Sequence, residues 1–177
     1  IWRSEPVVLS ELQKSGERSA DPAGSYRGTD QFNDTFDSTS EDQTSLDSLA
    51  MVPDRSTEII RVDGPELEVE VVNTPASITL GLSGRSEIGR DGMLFVLPER
   101  RRASFWMKDM QFDLDLVWID GDTIIGIQTV PAPKSNQLTR DLPSYDPGIP
   151  VTHVLEIPAN TADEKGLFLG SKIQLLQ

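Results

Sequence analysis

Cysteine is absent from the chain, which excludes disulfide frameworks, thiolate metal sites and cysteine nucleophiles while leaving the redox compartment open. Histidine occurs once, as His153. No HxH or HxxxH pair exists, so zinc sites of the usual kinds are not expected and no metal is assigned. Positive charge is scarce: 16 Lys and Arg stand against 29 Asp and Glu, a formal net charge of -13. That balance opposes binding to phosphate backbones, so nucleic acid is not an expected partner, and an anionic membrane surface would repel the chain too. No stretch of the 177 residues approaches the roughly 18 consecutive apolar residues of a spanning helix. A G-x-S-x-G nucleophile turn and phosphate-cradling glycine loops are also missing, and no cofactor is expected.

What is present divides into two textures. From Ile1 to about Ser56 the chain is rich in Ser, Thr, Asp, Glu and Gly. Its few apolar residues, Tyr26, Phe32, Phe36, Leu46 and Leu49, recur at no sustained period. Residues 1–56 therefore read as an acidic disordered linker, with a short helix conceivable over Val7 to Lys14. The first residue is Ile1 rather than Met, as in a processed product or a fragment. Ile1-Trp2-Arg3 fits the exit of an upstream membrane tether with Trp at the interface, and equally a simple cut in the chain.

Residues 57–177 change to short apolar runs punctuated by Gly, Pro and Asp, the pattern of a mainly β domain. Leu67 to Val71 alternates as a half-solvated strand. Thr74-Pro75 supplies an N-cap and first-turn proline for a short helix ending near Gly84. Met93 to Leu97 reads as a strand buried on both faces and bounded by Pro98. Ala103 to Lys108 follows as a strand with Phe105 and Met107 on one face, Trp106 and Lys108 on the other. Leu114 to Asp120 and Thr123 to Val130 flank an Asp120-Gly121-Asp122 turn as a hairpin. A long polar loop spans Pro131 to Pro150. Val151 to Ile157 and Lys172 to Leu176 are the last strands, with a capping-box helical turn starting at Thr161 between them.

Gly81-Leu82-Ser83-Gly84-Arg85, Gly92-Met93-Leu94-Phe95, Phe105-Trp106-Met107-Lys108, Leu114-Asp115 and Val154-Leu155-Glu156 occur in the order and spacing of the DUF192 (UPF0127) family. The chain resembles that family from roughly Leu67 to Gln177. The resemblance implies a small barrel-like β domain with one or two short helices, of bacterial or archaeal origin, frequently made with an export signal, and without a settled activity. Three departures stand out. Asp109 replaces the usual Asn after the lysine, Asn160 replaces a frequent Gly, and the loop from Pro131 to Pro150 lacks the cysteines many members carry.

Candidate site residues follow from charge and aromatic placement. Asp113 and Asp115, two apart on a strand, would share a face, and a carboxylate pair near Lys108 can shift pKa values for acid–base work. A structural ion pair at a barrel mouth is the plainer reading. Arg85 completes such a cluster or simply serves as a helix C-terminal cation. Trp106 offers a platform for a sugar ring or becomes an ordinary core residue, as Trp118 does. Tyr145 covers a pocket or anchors its loop. The cluster Arg100-Arg101-Arg102 reads as a solvated hairpin tip rather than an anion site, and His153 and Glu156 fall on opposite faces of one strand.

The expectation is a monomeric extracytoplasmic module that binds a small-molecule or cell-envelope ligand through Arg85, Trp106, Lys108, Asp113 and Asp115, with Tyr145 as a cover. A hydrolase or lyase using Asp113 and Asp115 with Lys108 is the alternative, and a protein-interaction domain at the cell surface is the third.

Overall fold

The computed structural model describes Trp2, Arg3 and residues 45–176, so the short helix conceivable over Val7 to Lys14 lies outside the described residues. Ten strands order these residues: β1 (Trp2–Arg3), β2 (Thr57–Val62), β3 (Glu66–Val72), β4 (Gly92–Arg101), β5 (Ser104–Trp106), β6 (Leu114–Asp120), β7 (Thr123–Val130), β8 (Ser144–Tyr145), β9 (Val151–Pro158) and β10 (Ile173–Leu176). Two short helices, α1 (Pro75–Leu80) and α2 (Thr161–Glu164), and two 3-10 turns complete the set. Seven strands form one sheet in the order β10-β2-β3-β4-β9-β6-β7, and three form a small sheet, β1-β5-β8. The large sheet curls into a half-barrel, because a bridge from Thr123 to Lys172 ties the start of β7 to the approach to β10. Backbone bonds Ile124 N–H to Ser171 C=O and Ile173 N–H to Asp122 C=O reinforce it, at 2.9 and 2.8 Å.

The central strands β9 and β6 and the Gly92-to-Leu97 part of β4 are buried on both faces, which matches the unbroken apolar run from Met93 to Leu97. Leu94, Val96, Val117, Ile119, Leu155 and Ile157 feed one core cluster. Met93, Phe95, Leu116, Trp118 and Val154 feed the other. Ala162 of α2 and the 3-10 turn Leu46–Met51 pack on the first. Ile78 of α1 and Phe105 of the small sheet close the second. Phe105 is edge-on to Phe95 at 5.1 Å and to Trp118 at 5.6 Å, a pair of aromatic contacts that fastens the small sheet to the large one.

Several boundaries differ from the sequence reading. Leu46 and Leu49, placed in the linker for want of a period, are buried in the core. A single 3-10 turn brings both inward, each contributing roughly 1.5–3 kcal/mol of apolar burial. Trp2 and Arg3, also assigned to the linker, pair with Phe105 and Ser104. Helix α1 has the expected Thr74 cap and Pro75 start but stops at Gly81, whose N–H bonds the Ser77 carbonyl. Strand β4 runs on through Pro98 to Arg101 along an irregular register with β9, an arrangement that tolerates a missing N–H. The hairpin turn is as expected, with Gly121 at φ 62 supplying the positive φ of its first central position.

Candidate functional site

Asp115 is the candidate residue most enclosed by its surroundings. It stands in β6 opposite Thr129 of β7 and Ile157 of β9 and is 1% exposed. The Thr129 hydroxyl donates to Oδ1 at 2.6 Å, and the Ala162 backbone N–H donates to Oδ2 at 3.0 Å. The second bond replaces the capping box expected at Thr161. The N-cap of α2 is Asn160 at φ 70, which makes no side-chain cap bond, so a carboxylate from another strand satisfies one of the free helical N–H groups. Asn160 suits that left-handed angle, which Asn adopts more readily than most side-chain-bearing residues.

Asp113 lies one residue ahead of β6 and is exposed, its Oδ1 accepting the Ala132 N–H at 2.7 Å. Two apart in sequence, the two aspartates thus hold different elements and do not form a carboxylate pair. Lys108 is elsewhere again. Strand β5 ends at Trp106, and Asp109 turns the chain at φ 57. The Lys108 ammonium contacts the Asp109 carboxylate at 2.5 Å. The turn is clasped by the loop after α1: Ser83 Oγ donates to the Lys108 carbonyl at 3.1 Å, and Gly84 N–H to the Asp109 carbonyl at 2.9 Å. Two sequence motifs more than twenty residues apart therefore meet through backbone acceptors.

Arg85, just beyond that clasp, grips Glu70 of β3 with both guanidinium arms, at 2.7 and 2.9 Å, while Arg55 reaches the same carboxylate at 2.6 Å. The Arg85 hydrogen bonds hold the Glu70 carboxyl below its ordinary value, and the same bonds raise Arg85. Trp106 and Tyr145 face opposite ways. In the small sheet Phe105 pairs with Tyr145 and Trp106 with Ser144. Tyr145 accordingly packs on the core beside Phe105, where burial raises its hydroxyl pKa. Trp106 shares the outer face with Ser104 and Ser144, whose hydroxyls hydrogen-bond each other. Tyr145 anchors its loop. Arg100, in the expected solvated tip, pairs with Asp120 at 2.7 Å.

A hollow of about 240 Å³ opens beside Asp115, lined also by Ile127, Thr129, Asn160, Asp163 and Leu167. Of the six candidates only Asp115 lines it. Thr129 was missed because its approach depends on a bulge. Strict register from the Asp120–Thr123 pair sets Gln128 opposite Asp115, but the irregularity between Trp118 and Ile119 moves the pairing by one, to Thr129. Gly126, opposite Trp118, leaves room there for the indole.

His153 and Glu156 do lie on opposite faces of β9, both buried. Burial holds the imidazole at about 4 and pushes the Glu156 carboxyl up. Among the described residues no group of three or more His, Asp or Glu is placed to hold a metal, and no helix is long and apolar enough to cross a membrane.

The DUF192 family model, described as "Uncharacterized ACR", matches residues 58–175. The chain belongs to the DUF192 family. Two solved structures share this fold. One, a "putative transcription regulator" from Sinorhizobium meliloti 1021, is 29% identical, covers 70% of this chain and 97% of its own, and has a TM-score of 0.60. The other, a protein of unknown function from Novosphingobium aromaticivorans DSM 12444, is 26% identical, covers 66% of this chain and 84% of its own, and has a TM-score of 0.56. A comparison with curated proteins gives no match. Within DUF192 terms, the Gly81-to-Arg85 motif and the FWMK motif are joined by the clasp at Ser83 and Gly84, and the LD motif supplies the carboxylate that caps α2.

Proposed function

We propose that this DUF192 domain is a non-catalytic binding module, acting outside the cytoplasm as the resemblance to exported relatives implies, that takes a small hydroxylated ligand in the hollow beside Asp115. The observation that carries the reading is the lining itself. Ile127 and Leu167 offer apolar surface, while Thr129, Asn160 and the carboxylates of Asp115 and Asp163 offer polar groups. Concave sites with an apolar floor and a few convergent polar groups are the usual form of small-ligand sites. At about 240 Å³ the hollow is smaller than the roughly 300–1,000 Å³ of drug-sized sites, which suits one sugar ring or a short chain. Two acidic residues in the lining and a net charge of -13 favour neutral or amine-bearing ligands over anions. Cell-envelope sugars and amino sugars are the fitting class.

Acid–base chemistry through Asp113, Asp115 and Lys108 requires all three within reach of one reacting atom. Each instead has its own partner: Ala132 for Asp113, Thr129 and Ala162 for Asp115, and Asp109 for Lys108. That separation favours binding over catalysis. The net charge of -13 on this chain opposes contact with a phosphate backbone, which speaks against a DNA-binding role of the kind the Sinorhizobium protein's regulator name suggests.

A thermal-shift screen of the full chain against sugars, amino sugars, metals and anions tests the reading, with Ile127→Trp run in parallel to fill the hollow. A rise in melting temperature with an amino sugar that vanishes in Ile127→Trp supports it. A rise that persists unchanged in Ile127→Trp places the ligand elsewhere and overturns it.

A further inference from the structure

The small sheet owes one of its three strands to a segment remote in sequence. β1 pairs antiparallel with β5, Trp2 opposite Phe105 and Arg3 opposite Ser104, and it also touches α1. Without β1, the backbone groups of β5 on that side would form an open edge, since β8 covers only the other. The floor beneath is apolar and already built: Phe105 and Met107 from the β5 side and Ile78 and Leu82 from the α1 side are all buried in the same cluster. A two-residue strand makes few backbone bonds, each worth about 1 kcal/mol net, so the edge is held by a weak and exchangeable occupant.

We propose that the edge of β5 facing α1 is a docking edge for an extended peptide carrying an aromatic residue followed by a basic one, and that Trp2–Arg3 is its resident occupant in cis. Strand addition takes affinity from main-chain hydrogen bonds and specificity from alternate side chains. The register names the chemistry, an aromatic residue opposite Phe105 and a basic one opposite Ser104. This site is independent of the hollow beside Asp115.

The absence of cysteine makes a cross-linking test clean. In the full chain, Arg3→Cys with Ser104→Cys sets two thiols at facing positions of the antiparallel pair, and mild oxidation is expected to give an intramolecular disulfide. In a second arm, Ser104→Cys alone is exposed to the synthetic peptide Ile-Trp-Cys-Ser as its mixed disulfide. Labelling is expected at least tenfold faster than at Ser86→Cys, an exposed control position, and faster still when residues 1–3 are replaced by glycine. Circular dichroism checks that each variant is folded. No intramolecular disulfide in the folded double variant, or equal labelling at positions 104 and 86, would overturn the proposal. A disulfide-linked dimer of the double variant would overturn the cis assignment and make a second copy the occupant.

Discussion

The carboxylate of Asp115 in β6 accepts the backbone N–H of Ala162 in α2 at 3.0 Å, across 47 residues of sequence. The bond couples the hairpin to the short helix and defines one wall of the hollow. Asp115→Ala removes this bond and the one from Thr129, leaving a buried N–H and hydroxyl to find other partners. Urea denaturation is expected to show a loss of about 2–4 kcal/mol. Asp115→Asn, which keeps an acceptor oxygen, should lose clearly less. Equal losses in the two variants would mean that the charge or both acceptor oxygens together, rather than one retained acceptor or the packing, set the role of Asp115.

Gly92, the first residue of the GMLF motif, is there for close approach. A Cβ at this position would meet the Glu156 carbonyl oxygen at 2.7 Å and the Ile157 side chain at 2.8 Å. Backbone on a central strand does not yield easily, so Gly92→Ala is expected to cost about 1–3 kcal/mol. Gly126→Ala, whose tightest neighbour is Trp118 Cδ1 at 3.1 Å, should cost less, because an indole at a bulge can shift. Melting temperatures of the two variants check the order.

His153 gives the stability a pH dependence of definite sign. The unfolded chain takes up the imidazole proton near 6.5, the folded chain only at about 4. Between those values unfolding binds a proton, so this contribution is present in full above about pH 6.5 and is lost as pH falls toward 4. The interval corresponds to roughly 3 kcal/mol. His153→Gln should flatten the slope of stability against pH in that window. An unchanged slope would assign it to the carboxylates.

Asp109 holds a left-handed turn at φ 57, a conformation that Asn and Asp adopt more readily than other side-chain-bearing residues. Asp109→Asn is therefore expected to stay within about 0.5 kcal/mol of the parent, since the ion pair with Lys108 is half-exposed and weak. Asp109→Ala should cost about 1 kcal/mol through the backbone. Chemical denaturation separates them, and an Asn variant as weak as the Ala variant would make the ion pair the cause.

The strands of the large sheet were legible because burial on both faces or one leaves a mark in the sequence: the Met93-to-Leu97 run, the alternation of Leu67 to Val71 and the Gly121-Asp122 turn each name an element. The site was less legible, for reasons of register. Trp106 and Tyr145 look like a platform and its cover until pairing sets Tyr145 opposite Phe105. Thr129 joins Asp115 only through a bulge whose one mark in the sequence is Gly126 inside the strand pattern, which hints at an irregularity without fixing the register. Leu46 and Leu49 enter the core from a polar stretch because one 3-10 turn aligns two leucines three apart. Nothing in a period-two or period-3.6 pattern encodes such single events.

Whether the hollow beside Asp115 receives a small hydroxylated ligand, as proposed, is read most directly by an NMR titration of the 15N-labelled chain with glucosamine and N-acetylglucosamine, following backbone amide shifts. Saturable changes centred on Ile127, Thr129, Ala162 and Asp163 are expected, with the amides of β5 and β8 unmoved. Changes centred on Trp106 and Lys108, or none at any concentration, would contradict it.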